Sequence, residues 1–99
     1  MFVKGNLREY TRTYFVKQIK FFNSTMTGKK DPVSETAVSV DVSKGGIGIF
    51  TTYPLKEGNV IHFEDEIRSH AVKATSAIVR WSNKINGSRY RVGLQFMQL

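Results

Sequence analysis

Residues 86–96 read NGSRYRVGLQF, and this stretch indicates the fold class of the chain. Asn-Gly is the strongest short signal for a tight β-hairpin turn. After that turn, large apolar residues alternate with polar or small ones, as in a strand with one buried face. The residues expected to face a core are Tyr90, Val92, Leu94 and Phe96. Those expected to face outward are Arg89, Arg91, Gly93 and Gln95.

Further strand signals precede this hairpin. Residues 13–22 are rich in aromatic and β-branched side chains, which are typical of strands. Residues 36–42 alternate, and the pattern assigns one set of side chains to the core and the other to the solvent face. The core set is Val38, Val40 and Val42, and the solvent set is Ser39, Asp41 and Ser43. Residues 23–35 lack apolar content and are expected to connect the two strands.

The second half of the chain continues the same pattern. Gly45, Gly46 and Gly48 predict a turn or bulge, after which residues 47–50 restart an apolar strand. Strands are also predicted at 60–63 and 67–81, joined by a charged turn at Glu64, Asp65 and Glu66. No segment has the periodicity of a three-turn helix. The sequence therefore predicts an all-β fold of about six short antiparallel strands, a sandwich or a small barrel.

Length and composition limit the possible functions. Ninety-nine residues are enough for a single domain, and the absence of cysteine excludes disulfides and thiolate sites. Net charge is +7, but residues 1–30 carry +6, residues 31–67 carry −5 and residues 68–99 carry +6. This distribution favours an anionic partner held by one surface. The chain has no signal-like opening and no apolar run long enough for a transmembrane segment, so a cytoplasmic location is expected.

Two short motifs carry the candidate chemistry. Arg8 and Arg12 are spaced by four in the segment before the first strand, and Asp41, Ser43 and Gly46 follow in Asp-Val-Ser-Lys-Gly-Gly. Guanidinium groups bind anions such as phosphate with paired hydrogen bonds, and a carboxylate accepts hydrogen bonds from N–H donors. These residue types therefore suit an anionic ligand.

These motifs resemble the RxxxR and D/NxSxxG patterns of the PilZ family, matched by Arg8, Arg12, Asp41, Ser43 and Gly46. The ending from Val79-Arg80-Trp81 to Phe96 also resembles the closing hairpin of that family. The resemblance implies a six-stranded β-barrel of PilZ type with a flexible N-terminal arm. It implies a single domain over residues 1–99, with a ligand-binding arm at 1–12 and a barrel at 13–97.

The resemblance further implies a bacterial receptor that binds cyclic di-GMP and is not an enzyme. Binding would reorder the arm and signal to a protein partner or a neighbouring domain, in processes such as motility or biofilm formation. No cofactor, metal, DNA or RNA is expected. Some family members carry an arginine where Leu7 precedes Arg8 and take up two ligand molecules, so one ligand per domain is expected here.

Two alternatives stay open at this point: a small basic β-barrel that binds single-stranded nucleic acid, and a PilZ-like adaptor that binds no nucleotide. His62 and His70 lack a third residue at metal-ligand spacing, so they are interpreted as packed or exposed side chains. Phe15, Trp81 and Phe96 are interpreted as barrel core.

Overall fold

The computed structural model describes residues 13–14, 16–24, 34–69 and 72–97. Within these ranges all regular secondary structure is β, as predicted. The strands are β1 (Thr13–Tyr14), β2 (Gln18–Asn23), β3 (Glu35–Val42), β4 (Gly46–Thr51), β5 (Val60–Ser69), β6 (Val72–Asn86) and β7 (Arg89–Phe96).

The strands close into an antiparallel barrel. Around the ring, β3, β2, β5, β6, β7 and β4 are hydrogen-bonded in that order, and β4 returns to β3. β1 extends this ring by pairing with the last two residues of β3. Closure pairs the strand edges that an open sheet would leave exposed. The predicted six-stranded barrel is thus confirmed for the described residues.

The closing hairpin is also confirmed. Asn86 pairs with Arg89, so the two-residue connection between β6 and β7 is Gly87 and Ser88, one position later than the Asn-Gly pair that signalled the turn. Val92, Leu94 and Phe96 are buried, and Tyr90 packs against the core. The remaining core residues come from every strand of the ring and from the loop after β4: Ile19, Phe21, Ala37, Val42, Ile47, Ile49, Leu55, Ile61, Phe63, Ile67, Ala74, Ala77 and Val79.

The predicted alternation at β3 is wrong at Val38 and Ser39, and Ser43, which was predicted to face the solvent, is buried as well. Ser39 is only 1% exposed, whereas Val38 is 44% exposed. The reason is a β-bulge: Ser39 pairs with Ile49, but Asp41 pairs with Gly48, so Val40 is an extra residue. A bulge reverses which side of the sheet the following residues face. Ser39 therefore faces the core, and Val42 returns to it only because of the insertion.

The acidic residues Glu64, Asp65 and Glu66 do not form a turn, so that prediction is also wrong. They lie inside β5, which continues to Ser69. His62 pairs with Ser76, and Ile67 pairs with Ala74. Four residues of β5, 63–66, therefore lie opposite a single residue of β6 and form a large bulge. The bulge carries the charges on the surface, where Glu66 accepts a hydrogen bond of 2.7 Å from Arg68.

The first predicted strand divides into β1 and β2, and Ser39 explains where. Its hydroxyl accepts a hydrogen bond from the Lys17 amide at 2.9 Å and donates to the Lys17 carbonyl at 3.1 Å. The Ser39 amide donates to the same carbonyl at 2.8 Å. A buried side chain thus binds the backbone where the strand is interrupted. The division into an arm at 1–12 and a barrel at 13–97 stays a prediction.

We expect Ser39→Ala to lower the free energy of unfolding by about 1 kcal/mol, because the Lys17 amide loses its acceptor at a partly buried position. Urea denaturation checks this value. Ser88→Ala, at an exposed turn position, is the matched control and should change stability by less than about 0.5 kcal/mol. Equal effects of the two substitutions would contradict the role assigned to Ser39.

Candidate functional site

Four strands contribute one cross-strand row to the outside of the barrel. Asp41 of β3 pairs with Gly48 of β4, Gly48 pairs with Gly93 of β7, and Gly93 pairs with Trp81 of β6. Neighbouring strands lie about 4.8 Å apart, so the row spans about 14 Å from Asp41 to Trp81. Two glycines occupy its middle, so the row itself contributes no side chain between the carboxylate and the indole.

Trp81 lies outside the core, contrary to its prediction, whereas Phe96 is buried as predicted and Phe15 lies outside the described residues. Val79 pairs with Leu94 but Trp81 pairs with Gly93, so Arg80 is an inserted residue. This second bulge turns Trp81 outward, where it is 39% exposed. A methyl group at residue 93 would overlap the indole ring, so the tryptophan packs directly on the Gly93 backbone.

The β3–β4 turn places the rest of the Asp-Val-Ser-Lys-Gly-Gly motif. The Ser43 amide donates to the Gly46 carbonyl at 2.8 Å, and the Ser43 hydroxyl accepts from the Gly45 amide at 3.3 Å. The Gly45 carbonyl in turn accepts from the Phe96 amide at 3.0 Å. These bonds fix the turn against the end of β7, and Ser43 is 8% exposed.

Gly46 has a steric reason inside the barrel itself. A side chain at this position would overlap the carbonyl oxygen of Leu94 on β7. In the sequence analysis, Gly46 is a candidate ligand position because it belongs to the motif. The close approach that the structure shows is between two strands. The motif glycine is therefore required for the fold as well as being a candidate ligand position.

A surface cleft of about 270 Å³ brings motif residues together with residues that the sequence analysis did not assign to the site. Ser43 and Gly46 line it from the turn, and Arg80 and Trp81 line it from β6. Its other lining residues are Gly45, Ile47, Gly93, Leu94 and Gln95. Arg80 is the one ionisable side chain among them, so the described lining is cationic. Asp41 lies on the same outer surface, in β3, and is half-buried.

Arg8 and Arg12 lie outside the described residues. Arg12 precedes Thr13, however, and Thr13 pairs with Val42 while Tyr14 pairs with Asp41. The chain thus enters the barrel directly beside the aspartate of the motif. A fully extended chain spans at most about 3.6 Å per residue, which keeps the Arg8 backbone within about 18 Å of Thr13.

The histidines are placed away from this cleft or are outside the description. His62 Nε2 lies 2.9 Å from the Ser24 hydroxyl, a bond that links β5 to the end of β2. His70 is outside the described residues. In the described part of the chain, no three His, Cys, Asp or Glu side chains are grouped as metal ligands. Likewise, no helix among the described residues is long and apolar enough to cross a membrane.

Comparison with known families agrees with the geometry. The family model described as PilZ domain matches residues 6–99. The chain belongs to the PilZ family. This match covers both motifs and the closing hairpin of the PilZ domain. A comparison with curated proteins found no match.

We expect Gly46→Ala to destabilise the PilZ domain by about 1 to 3 kcal/mol without any ligand, because the new methyl group meets the backbone of β7. Thermal and urea unfolding measure this loss. Gly87→Ala is the matched control, because open space surrounds Gly87 in the hairpin turn. A Gly46→Ala domain as stable as the Gly87→Ala domain would contradict the steric role.

Proposed function

We propose that this PilZ domain is a receptor for cyclic di-GMP that binds its ligand on the outer face between Asp41 and Trp81. The observation that carries the proposal is the row Asp41, Gly48, Gly93, Trp81 in a chain of the PilZ family, a family known for binding cyclic di-GMP. An acceptor for guanine and an aromatic surface for a base occur in one cross-strand row, whose two middle residues are glycines.

Each end of the row suits a different part of the ligand. The Asp41 carboxylate can accept hydrogen bonds from N1–H and N2–H of guanine, and adenine has no equivalent pair of donors. The exposed indole of Trp81 offers a stacking surface, and stacking on aromatic side chains is tolerant of the base. In this proposal Asp41 supplies the specificity for guanine, and Trp81 supplies contact area.

The phosphates require cations, and the proposal assigns them to three arginines. Arg80 lines the cleft beside the motif turn, and Arg8 and Arg12 belong to the segment that enters the barrel next to Asp41. A guanidinium can bind a phosphate or the N7 and O6 edge of guanine with two parallel hydrogen bonds. Ser43 is proposed as a further polar contact, because it lines the same cleft.

The energies are sufficient for a signalling ligand. Charge-assisted hydrogen bonds contribute about 1.5 to 3 kcal/mol each, so four such groups supply about 6 to 12 kcal/mol before ordering costs. A net value near −8 kcal/mol corresponds to a dissociation constant of about 1 µM. The proposal includes a bacterial, cytoplasmic and non-enzymatic role, in which the ligand reorders residues 1–12 and so signals to a protein partner.

We expect Arg8→Ala, Arg12→Ala and Asp41→Asn each to weaken cyclic di-GMP binding about tenfold or more, because each removes a charged partner of the ligand. Isothermal titration calorimetry measures the loss. Arg68→Ala is the control, because Arg68 pairs with Glu66 on β5 and does not line the cleft. One ligand per domain is the expected stoichiometry. Unchanged affinity in both arm variants would contradict the proposed site.

We expect cyclic di-GMP to change the fluorescence of Trp81, the single tryptophan of the chain, because a stacked base alters its environment. Trp81→Ala should weaken binding about fivefold or more, from the 1 to 3 kcal/mol that stacking contributes per base. Ile85→Ala is the matched control, an exposed apolar residue on the same strand. A titration that leaves the fluorescence unchanged would contradict stacking at this position.

Salt and base dependence separate this function from single-stranded nucleic-acid binding. A receptor selective for guanine rejects the cyclic di-adenosine analogue and ignores a polynucleotide competitor. An oligonucleotide binder tolerates many bases and loses affinity steeply as salt increases. An adaptor of PilZ type without nucleotide binding would give no heat with cyclic di-GMP at all.

A further inference from the structure

A second groove lies on the outer face of β3, β4 and β7, one pleat along from the Asp41 row. Val38 of β3 pairs with Phe50 of β4, and Phe50 pairs with Arg91 of β7. The groove holds about 440 Å³. It shares none of its lining residues with the cleft beside Ser43, so it is a separate feature of the surface.

The floor of this groove is apolar. Ala37, Val38 and Phe50 line it, together with Thr36, Thr51, Thr52 and Arg89. Val38 is 44% exposed, although its position in the alternation of β3 predicts a core residue. The bulge at Val40 causes this exposure, because it places Ser39 in the core and leaves Val38 outside. The surface thus presents an aliphatic side chain and a half-buried aromatic ring side by side.

Arg89, the one ionisable side chain among the lining residues, gives the groove its charge, and Arg91 lies on the same strand beside Phe50. The guanidinium carbon of Arg91 lies 5.5 Å from the centre of the Phe50 ring. Its Nε is buried and has no hydrogen-bond partner among the described residues. Arg89 is exposed and lines the groove, so a carboxylate there can pair with its guanidinium.

We propose that this groove docks a segment of a protein partner that carries an apolar side chain followed by aspartate or glutamate. The apolar side chain would pack between Val38 and Phe50, and the carboxylate would reach Arg91 and Arg89. Glu35, at the start of β3, is the acidic residue near the other end of the groove, so the partner's acidic residue must lie toward β7. An aliphatic floor favours a peptide over a sugar-phosphate chain.

Nuclear magnetic resonance on the isotope-labelled full chain tests this proposal. The probe is a synthetic peptide with a Leu-Glu-Phe-Glu core between glycine and serine residues, and the control peptide has lysine in place of glutamate. We expect the acidic peptide to shift the amide signals of residues 36–38, 50–52 and 89–91, and the lysine peptide to leave them unchanged. Equal shifts with both peptides, or shifts only around Trp81, would overturn the proposal.

Substitutions localise the effect. Val38→Asp should weaken peptide binding about tenfold or more. If this variant changes the overall amide spectrum, peptide binding is measured with the milder Val38→Ser. Arg91→Gln should weaken peptide binding by a similar factor. Met97→Asp is the matched control, because Met97 is 40% exposed and lies outside the groove. Peptide affinity that survives both groove substitutions would overturn the proposal.

Cyclic di-GMP titration of the same variants keeps this inference distinguishable from the proposed receptor function. Val38→Asp should leave nucleotide affinity unchanged. If Arg91→Gln weakens nucleotide binding and leaves the peptide unaffected, Arg91 serves the nucleotide and the docking proposal fails. If peptide-sensitive amides shift with protein concentration alone, the groove binds a second copy, and the partner proposal fails in that case as well.

Discussion

Single-residue bulges determine which side chains this barrel presents to its surroundings. Val40 is the inserted residue in β3, and β6 contains two inserted residues, Arg80 and Ile85. In each strand, a buried residue is followed two positions later by one that faces outward: Ser39 is followed by Asp41, and Val79 by Trp81. With regular alternation, the two residues of each pair would face the same side of the sheet. Either Asp41 and Trp81 would be buried, or Ser39 and Val79 would leave the core. The bulges therefore allow one strand to supply both the packing and the candidate site.

The glycines of the site belong to the same constraint. Gly93 accommodates the Trp81 ring, and Gly46 accommodates the Leu94 carbonyl, so each is required by a neighbour within the barrel. In the proposed complex, Gly93 and its row neighbour Gly48 also add no side chain between Asp41 and the indole. At Gly93, the fold and the ligand thus impose the same requirement. Loss of binding in a glycine variant therefore has to be separated from loss of stability.

The strand content and the hairpin could be predicted from the sequence because alternation and turn chemistry are local. The NGS turn set the end of β6, and Val92, Leu94 and Phe96 faced the core as their spacing indicated. The faces of Val38 and Trp81 could not be predicted. Counting back from the turn, with Asn86 opposite Arg89, puts Trp81 opposite the inward Leu94, whereas a further bulge at Ile85 shifts its partner to Gly93. An inserted residue leaves no local mark when its side chain is an ordinary Val or Arg.

The same limit applies to the site, of which the sequence supplied the motif half. Asp41, Ser43 and Gly46 were found from spacing, and the structure adds Arg80 and Trp81 from a strand about 40 positions later. Cross-strand partners depend on register, and register depends on the bulges. The arm residues Arg8 and Arg12 are joined to this face through β1, in which Thr13 pairs with Val42 and Tyr14 pairs with Asp41. In the proposed complex, a ligand that binds both the arm and Asp41 therefore acts on both strands of this pairing. Because β1 is continuous with the arm, it is the element through which ligand binding would reach the rest of the arm.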